Sequence, residues 1–505
     1  MLISRFWNLV LRIWNFHYNG PMSTRHIATS TLWQIASQVV MATLSIVTLK
    51  MVVTGLSTEL YGNYNSAYGY LQIFGILADF GLYAVAVREV SRAENKADVL
   101  GAIFILRLLI LLCSLGLALL IVWLVPAWRG TPLPIGVTIA AFVPFFTLLS
   151  GMLRTIFQIS FKMQYVFIAE VTQRIITLAL IGIVLFMGAR HSNNILYYYW
   201  FLAVGGIGSF FLFLFSILFG RRIMSIHPRI DVPLLKRFLK LAAPYGLAFL
   251  CTALYRQTDI TIIAALRPDY ELQNAYYGAV QRMADMAYVI PTFLLNSVLP
   301  VLSERDGRGE DTRRLLGKTF FIILILGSIS MLFSLFWSRQ LVEMLTNASL
   351  LSTAARPGAD TALQLIALPM FLNGIVMFCF YVLLNRHEWR HLVFTLALGV
   401  IISLISNFSL IPQLGFVGAG FTSIMVHVFL ACMLLVQTFR IMPIHFSKTH
   451  ILQWVAFSSL FALFLWLASP LIHSALTTAL GILMGGAVAG LLILTLGIHR
   501  SMAGE

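Results

Sequence analysis

The sequence predicts an all-α polytopic membrane protein with about 14 transmembrane helices. Three observations support this fold class: the composition, the spacing of apolar runs, and the distribution of basic residues. Of the 505 residues, 59% are hydrophobic and 10% are charged, and the mean hydropathy is +0.89. Soluble domains average about 25% charged residues, and disordered chains have low hydrophobicity. The composition therefore excludes a soluble enzyme and a disordered protein.

Fourteen apolar runs follow one another along the chain. Each has about the 20 residues that a membrane-spanning helix needs, and prolines such as Pro126, Pro268 and Pro412 mark the breaks between runs. The predicted spans are 27–52, 60–82, 100–125, 133–153, 164–187, 194–219, 238–265, 272–302, 316–338, 360–385, 390–411, 416–440, 450–470 and 474–498.

The segment before the first span has an amphipathic pattern. Arg5, Arg12 and Asn15 recur at helical spacing, opposite an apolar face that includes Trp7. This pattern is typical of a helix that lies in the membrane interface. We therefore expect residues 1–26 to form an interfacial segment.

The basic residues indicate how the spans are oriented. Lys and Arg total 34 against 19 Asp and Glu, for a formal charge of +15. When the spans alternate in direction, segments on the N-terminal side hold 24 basic residues and segments on the opposite side hold 6. Cytoplasmic loops are enriched in Lys and Arg. We therefore expect a protein of the cytoplasmic membrane with both termini cytoplasmic, whose charge excess reports orientation and not nucleic-acid binding.

A weak internal repeat suggests how the spans are grouped. Residues 57–92 resemble residues 269–304 after a shift of 212 positions; the matches are Glu59-Leu60 with Glu271-Leu272, Tyr64 with Tyr276, Ala67 with Ala279, and Ser91 with Ser303. This predicts two six-helix lobes in parallel repeat, with two helices appended. The expected units are the interfacial segment (1–26), an N-lobe (27–220), a cytoplasmic linker (221–237), a C-lobe (238–440) and spans 13–14 (450–498).

Charged residues inside the spans are the strongest functional signal. Such charges are costly in the hydrocarbon layer and usually face a protein interior or a wet cavity. Here they occur in close pairs: Glu170 and Arg174 in span 5, Arg256 and Asp259 in span 7, Arg282 and Asp285 in span 8, and Asp79 with Arg107 near the ends of spans 2 and 3. Residues three or four apart share a helix face.

Spans 7 and 8 should form an antiparallel hairpin around a turn at 268–270. Positions equidistant from the turn lie at equal depth, which places Arg256 level with Asp285 and Asp259 level with Arg282. At a rise of about 1.5 Å per residue, all four lie roughly 15–25 Å from the turn, near the middle of the membrane.

Two interpretations fit these four charges. In the first they form a neutral clamp that fixes the hairpin, because a buried ion pair can specify an arrangement while adding little stability. In the second the arginines line a cavity and attract an anionic substrate, since a guanidinium suits bidentate contact with phosphate. The acids would then tune the site or take up a proton or a sodium ion.

The sequence carries no enzyme signature. It contains no Walker loop, dinucleotide fingerprint or zinc spacing, and no paired carboxylates on a large outer loop. We therefore expect that the protein is not an enzyme and uses neither a cofactor nor a metal. Pro291, six residues beyond Asp285, interrupts the backbone hydrogen bonds of span 8 and is the predicted hinge.

Four segments carry a family resemblance. They are Leu77–Arg92 (LADFGLYAVAVREVSR), Glu59-Leu-Tyr-Gly62, Ala275–Arg282 (AYYGAVQR) with Leu299-Pro300, and Ile411–Gly420 (IPQLGFVGAG). In their order and with fourteen spans, they resemble the polysaccharide-transporter flippases of the multidrug/oligosaccharidyl-lipid/polysaccharide exporter superfamily.

The resemblance implies a function. Such proteins move an isoprenoid-diphosphate-linked oligosaccharide to the outer leaflet for O-antigen, capsule or exopolysaccharide assembly. Two lobes alternate between inward-open and outward-open states around a cationic cavity whose arginines match the diphosphate. Many relatives have Arg followed two residues later by Asp in span 7. Arg256 and Asp259 are three residues apart, so the correspondence of this acid is open, and span 1 lacks the internal acid of some relatives.

We therefore expect an ion-coupled flippase. Its substrate-binding residues would be Arg256, Arg282, Arg174 and Arg25, and its coupling or arginine-orienting acids Asp259, Asp285 and Glu170. The expected partners are a polyprenyl-diphosphate-linked glycan and membrane lipids, with polysaccharide polymerase or assembly proteins as candidates, and the expected state is a monomer. The alternatives are a multidrug or toxin exporter of the same superfamily, and a membrane glycosyltransferase or polysaccharide polymerase.

Overall fold

The computed structural model describes residues 24–499, with gaps at residues 80, 83–84, 87–88, 91–92, 225–229, 309, 443 and 445. Side chains are described from residue 40 onward, with further gaps between residues 290 and 307. The interfacial helix predicted in residues 1–26 lies almost entirely outside the described residues.

The described residues form helices, with no β-strand among them. In chain order the α-helices are α1 (Thr24–Gly55), α2 (Thr58–Asp79), α3 (Lys96–Leu124), α4 (Leu133–Ala140), α5 (Phe142–Ile159), α6 (Gln164–Phe186), α7 (Ile195–Arg221), α8 (Val232–Leu266), α9 (Tyr270–Gly307), α10 (Arg313–Phe336), α11 (Ser338–Leu345), α12 (Ala359–Asn385), α13 (Trp389–Leu414), α14 (Phe416–Ile441), α15 (Lys448–Ala468) and α16 (Ala475–Thr495).

The helices coincide with the predicted spans. Eleven described helical segments are long and apolar enough to cross a membrane, so the chain is a multi-pass membrane protein. The span predicted at 133–153 is two helices, α4 and α5, which meet at Ala141. Pro144, three residues later, has no N–H to donate to the carbonyl of Ala140, and the helix is interrupted there.

The helices pack as two groups with α2 between them. Helices α1–α7 pack on one another, as do α8–α14, while α15 rests on α10 and α16 on α15. We call the first two groups the N-lobe and the C-lobe. Helix α2 of the N-lobe packs extensively against α8 and α9 of the C-lobe. This location explains why α2 and α9 are the more polar spans: they face protein along much of their length instead of lipid.

A second connection between the lobes lies in the stretch that precedes α12. Its short helix α11 ends against α1. Lys50 Nζ donates to the carbonyl oxygens of Glu343, at 3.2 Å, and Thr346, and Asn347 Nδ2 donates to the carbonyl of Val53 at 3.4 Å. A cation at a helix C-terminus is favourable because the last carbonyls are otherwise unpaired.

Candidate functional site

A short turn joins α8 to α9 and sets the register between them. Arg267 Nε and Nη2 donate to the two carboxylate oxygens of Asp269 at 2.8 and 3.0 Å, and Gln273 Nε2 donates to the same carboxylate at 2.8 Å. Burial opposes ionisation of Asp269, but these hydrogen bonds more than offset it and hold its pKa below the usual value. The predicted turn is therefore present, and it is braced by an ionised side chain.

Arg256 and Asp285 form an ion pair across this hairpin, as their equal depth predicted. Arg256 Nη2 donates to Asp285 Oδ1 at 2.7 Å. The guanidinium carbon also lies 4.3 Å from the ring centroid of Tyr288. The side chain of Arg256 is 18% exposed and that of Asp285 is 32% exposed. The pair is therefore well ordered by its contacts but only partly buried.

The second predicted pair, Asp259 with Arg282, does not form. Asp259 is 3% exposed, and its carboxylate accepts hydrogen bonds from Tyr277 Oη at 2.6 Å and Asn407 Nδ2 at 2.7 Å. Equal depth does not fix direction around a helix, and residues three apart differ by about 60°. Asp259 is therefore turned into the C-lobe, toward α13, where it has neutral partners.

Arg282 is turned the other way, toward α2 of the N-lobe. Its guanidinium carbon lies 4.9 Å from the ring centroid of Tyr64 and 5.5 Å from that of Tyr68. The two rings meet edge to face with their centroids 4.8 Å apart. Among the described residues, no carboxylate is ion-paired with Arg282. Aromatic faces therefore hold this cation without cancelling its charge.

Arg174 of α6 approaches the same rings from within the N-lobe. It lies within electrostatic range of Tyr64, Tyr68, Arg282 and Glu170, and its Nε is buried without a hydrogen-bond partner among the described residues. Glu170, predicted to accompany it, accepts a hydrogen bond from Arg154 of α5 at 3.2 Å. Arg154 was assigned to a loop from the sequence, but the structure places it inside α5.

These contacts bring three arginines together where the lobes meet. We call Arg174, Arg256 and Arg282 the arginine cluster. Asp285 pairs with Arg256 and lies within electrostatic range of Arg282. Glu170 lies beside Arg174 and pairs with Arg154, so four arginines and two acids leave a net positive charge inside the spanning helices. An unbalanced charge there is costly unless an anion or water compensates it.

A seam of polar contacts joins α2 to α9 near the ends predicted to face outside. Asn63 Nδ2 donates to Glu271 Oε1 at 2.8 Å, and Tyr270 Oη donates to Asn63 Oδ1 at 2.9 Å. Asn274 Nδ2 donates to Ser66 Oγ at 2.9 Å. We call these contacts the α2–α9 seam. They tie the N-lobe to the C-lobe beside the arginine cluster.

Gly62 allows this close approach, and its replacement by alanine tests the seam. A Cβ atom at residue 62 would lie 1.6 Å from the backbone oxygen of Glu271, so the two helices would have to separate. We expect Gly62→Ala to lower the free energy of unfolding by about 1–3 kcal/mol. Thermal unfolding of the purified protein in detergent measures the effect.

Gly116→Ala is the matched control for that variant. Gly116 lies in α3, and no atom lies within 4 Å of the position of an added Cβ. Alanine at this helical position should leave stability unchanged or raise it by up to about 1 kcal/mol. Equal unfolding temperatures for wild type and Gly62→Ala would contradict the tight seam.

The sequence matches a protein family over a range that includes the arginine cluster and the α2–α9 seam. The family model described as polysaccharide biosynthesis protein covers residues 27–306, more than half of the chain. The chain belongs to this family.

Solved structures place this member of the polysaccharide biosynthesis family in a transporter fold. The lipid II flippase MurJ, in an inward closed conformation, superposes with a TM-score of 0.69 and 17% identity, covering 94% of this chain and 100% of that one. An inward-facing multidrug resistance MATE family transporter of the MOP superfamily has a TM-score of 0.58 and 12% identity, covering 85% and 98%. The eukaryotic MATE transporter AtDTX14 gives 0.54 and 12%, covering 82% and 94%. No curated protein matches the chain.

The structure places two of the other predicted charged residues of this family member in an ion pair. Asp79 and Arg107 form an ion pair between α2 and α3. The side chain of Arg25 lies outside the described ones. Pro291 is buried inside α9, which continues as a helix on both sides of it, and its role as a hinge stays a prediction.

Sequence reasoning missed the neutral side chains that orient the charges. These are Tyr64, Tyr68, Tyr277, Tyr288 and Asn407. A signal for two of them was present, because Tyr64 and Tyr68 are four residues apart and share a face of α2. No sequence pattern connects Asn407 to Asp259, which lies 148 residues earlier.

Proposed function

We propose that the protein is a flippase for a polyprenyl-diphosphate-linked oligosaccharide. It would move this substrate from the cytoplasmic to the outer leaflet of the cytoplasmic membrane, for the synthesis of a cell-surface polysaccharide such as O-antigen, capsule or exopolysaccharide. The arginine cluster carries the proposal. Its arginines, with their neighbour Arg154, outnumber the acids Asp285 and Glu170 by four to two inside spanning helices. This excess suits a multiply charged anion, and guanidinium groups bind phosphate oxygens bidentately.

In this proposal the charged residues have distinct roles. Arg282, Arg256 and Arg174 bind the diphosphate, and Arg25 is a further contact at the predicted cytoplasmic side. Asp285 orients Arg256 through their 2.7 Å ion pair. Asp259 accepts hydrogen bonds from the neutral side chains of Tyr277 and Asn407, and it would exchange a proton or a sodium ion and couple transport to an ion gradient. Glu170 orients Arg154.

The two lobes supply the alternating access. Opening toward the outside would part the α2–α9 seam and release the contact of Lys50 with α11, with Pro291 as the hinge within α9. Each protein molecule would work as a monomer with cytoplasmic termini. Polymerase or assembly proteins would receive the glycan on the outer side.

A transport assay in liposomes tests the proposal. A fluorescent polyprenyl-diphosphate disaccharide is incorporated in both leaflets, and a membrane-impermeant quencher reports how quickly the protected pool becomes accessible. We expect rapid exchange in vesicles that contain the protein, and slow exchange of a matched polyprenyl glycoside without the diphosphate. Equal exchange of both lipids would contradict recognition of the diphosphate.

The same vesicles separate the alternatives. A multidrug exporter would move a cationic dye, whereas the positive charge of the arginine cluster should exclude it. A glycosyltransferase or polymerase would lengthen the labelled glycan, which mass spectrometry of the extracted lipid detects. Dye transport or glycan elongation in place of lipid exchange would favour those functions.

A further inference from the structure

We propose that Tyr64 and Tyr68 of α2 are positioning residues for Arg282, and that they complete the anion site only while the α2–α9 seam is closed. This inference rests on the proposed function, because it concerns how the same site binds a lipid diphosphate. It adds two residues to the site and gives a reason why the site would lose affinity when the lobes part.

The contacts explain why tyrosines are used at this position. Arg282 lies within 6 Å of two ring centroids, in the range of a cation–π interaction. A carboxylate could hold the guanidinium equally well, but it would cancel the positive charge and compete with the phosphate oxygens of the ligand. Aromatic rings orient the same group and leave its positive charge uncancelled for an anion.

The site is divided between the lobes. Arg282 belongs to the C-lobe, while Tyr64, Tyr68 and Arg174 belong to the N-lobe. Arg174 and Arg282 both lie near Tyr64 and Tyr68, and their like charges repel each other. A diphosphate bound between them would attract both arginines and offset this repulsion. The ligand would therefore favour the closed arrangement of the two lobes.

The seam lies next to these contacts along both helices. Its hydrogen bonds join residues 63–66 of α2 to residues 270–274 of α9. Tyr64 lies within the α2 portion, Tyr68 two residues beyond it, and Arg282 about two turns beyond the α9 portion. A motion that separates α2 from α9 along this length would also move Arg282 away from Tyr64, Tyr68 and Arg174. Opening toward the outside would thus split the anion site and release the ligand.

Binding of farnesyl diphosphate to the purified full-length protein, measured by isothermal titration calorimetry, tests the positioning role. Tyr68→Phe keeps the ring and should bind within about twofold of wild type. Tyr68→Leu removes the ring and should bind about 5- to 30-fold more weakly. Tyr64→Phe and Tyr64→Leu form a second series in case Tyr68→Leu fails to fold.

A double-mutant cycle distinguishes positioning from a general structural role. If the tyrosine acts through Arg282, adding Tyr68→Leu to Arg282→Ala should change the Kd less than twofold. Tyr70→Leu is the matched control on the same helix. Tyr70 donates to the carbonyl of Ala118 and packs on Trp128, away from the cluster, so this variant should lower the unfolding temperature without changing the Kd.

Gly62→Ala tests the dependence on the seam. By forcing α2 away from α9 it should weaken farnesyl diphosphate binding at least threefold, while Gly116→Ala leaves it unchanged. If Arg282→Ala loses binding but Tyr68→Leu and Gly62→Ala bind like wild type, the inference is wrong and the proposed function stands. If wild type does not bind the probe, or Arg282→Ala binds it normally, both are overturned.

Discussion

Arg282→Ala is expected to abolish substrate exchange in liposomes while the protein still inserts and folds. The side chain lies at the lobe interface against neutral rings, so its removal leaves no unpaired carboxylate among the described residues. A hydrogen bond from a charged group contributes about 1.5–3 kcal/mol, which corresponds to about 10- to 150-fold weaker binding of the diphosphate. The quenching assay gives the rate, and calorimetry gives the affinity.

Two further variants serve as a graded comparison and a control for Arg282→Ala. Arg282→Lys keeps the positive charge but loses the planar guanidinium with its paired N–H donors. We expect its transport rate to lie between those of wild type and Arg282→Ala. Arg190→Ala removes an exposed arginine from the loop before α7 and should transport at the wild-type rate. Transport at wild-type rate by Arg282→Ala would remove the arginine cluster from the mechanism and with it the main support for a diphosphate substrate.

Asp259→Asn is expected to uncouple transport from an ion gradient without destabilising the fold. Asparagine has nearly the same shape, and Tyr277 and a rotated Asn407 amide can both still bond to it. The variant also removes a buried carboxylate that has neutral partners, which is costly to bury in the ionised form. We therefore expect an unfolding temperature equal to or above that of wild type. Exchange across the membrane should no longer respond to an imposed proton or sodium gradient.

The comparison with Asp360→Asn makes this test specific. Asp360 is also buried, but its carboxylate accepts hydrogen bonds from the Ser352 backbone N–H at 2.7 Å and from Ser352 Oγ at 2.6 Å, at the start of α12. Both hydrogen bonds end on Oδ1, an acceptor that asparagine keeps. This variant should therefore unfold near the wild-type temperature and keep its gradient dependence. A destabilised Asp259→Asn protein that still responds to the gradient would show that Asp259 has a structural role.

Much of the fold could be predicted because its signals are local. An apolar run of about 20 residues predicts a spanning helix wherever it occurs, and the balance of basic residues constrains how many spans there can be. The turn predicted at 268–270 is equally local, and it placed at equal depth Arg256 and Asp285, which form the 2.7 Å pair. It placed Asp259 and Arg282 at equal depth as well, and these do not pair. The interruption between α4 and α5 also has a local signal, because Pro144 lies inside the predicted span 133–153.

The sequence by itself determined that this protein crosses the membrane many times and keeps a small set of charges within its spans. Only the tertiary structure decided which of those charges meet. Depth along a helix follows from counting residues, but direction around the helix is decided by neighbours that are distant in sequence. Asp259 faces Asn407 on α13, and Arg282 faces Tyr64 and Tyr68 on α2. The packing of the two lobes therefore arranges the four charges as one ion pair, one buried acid and one arginine held by aromatic rings.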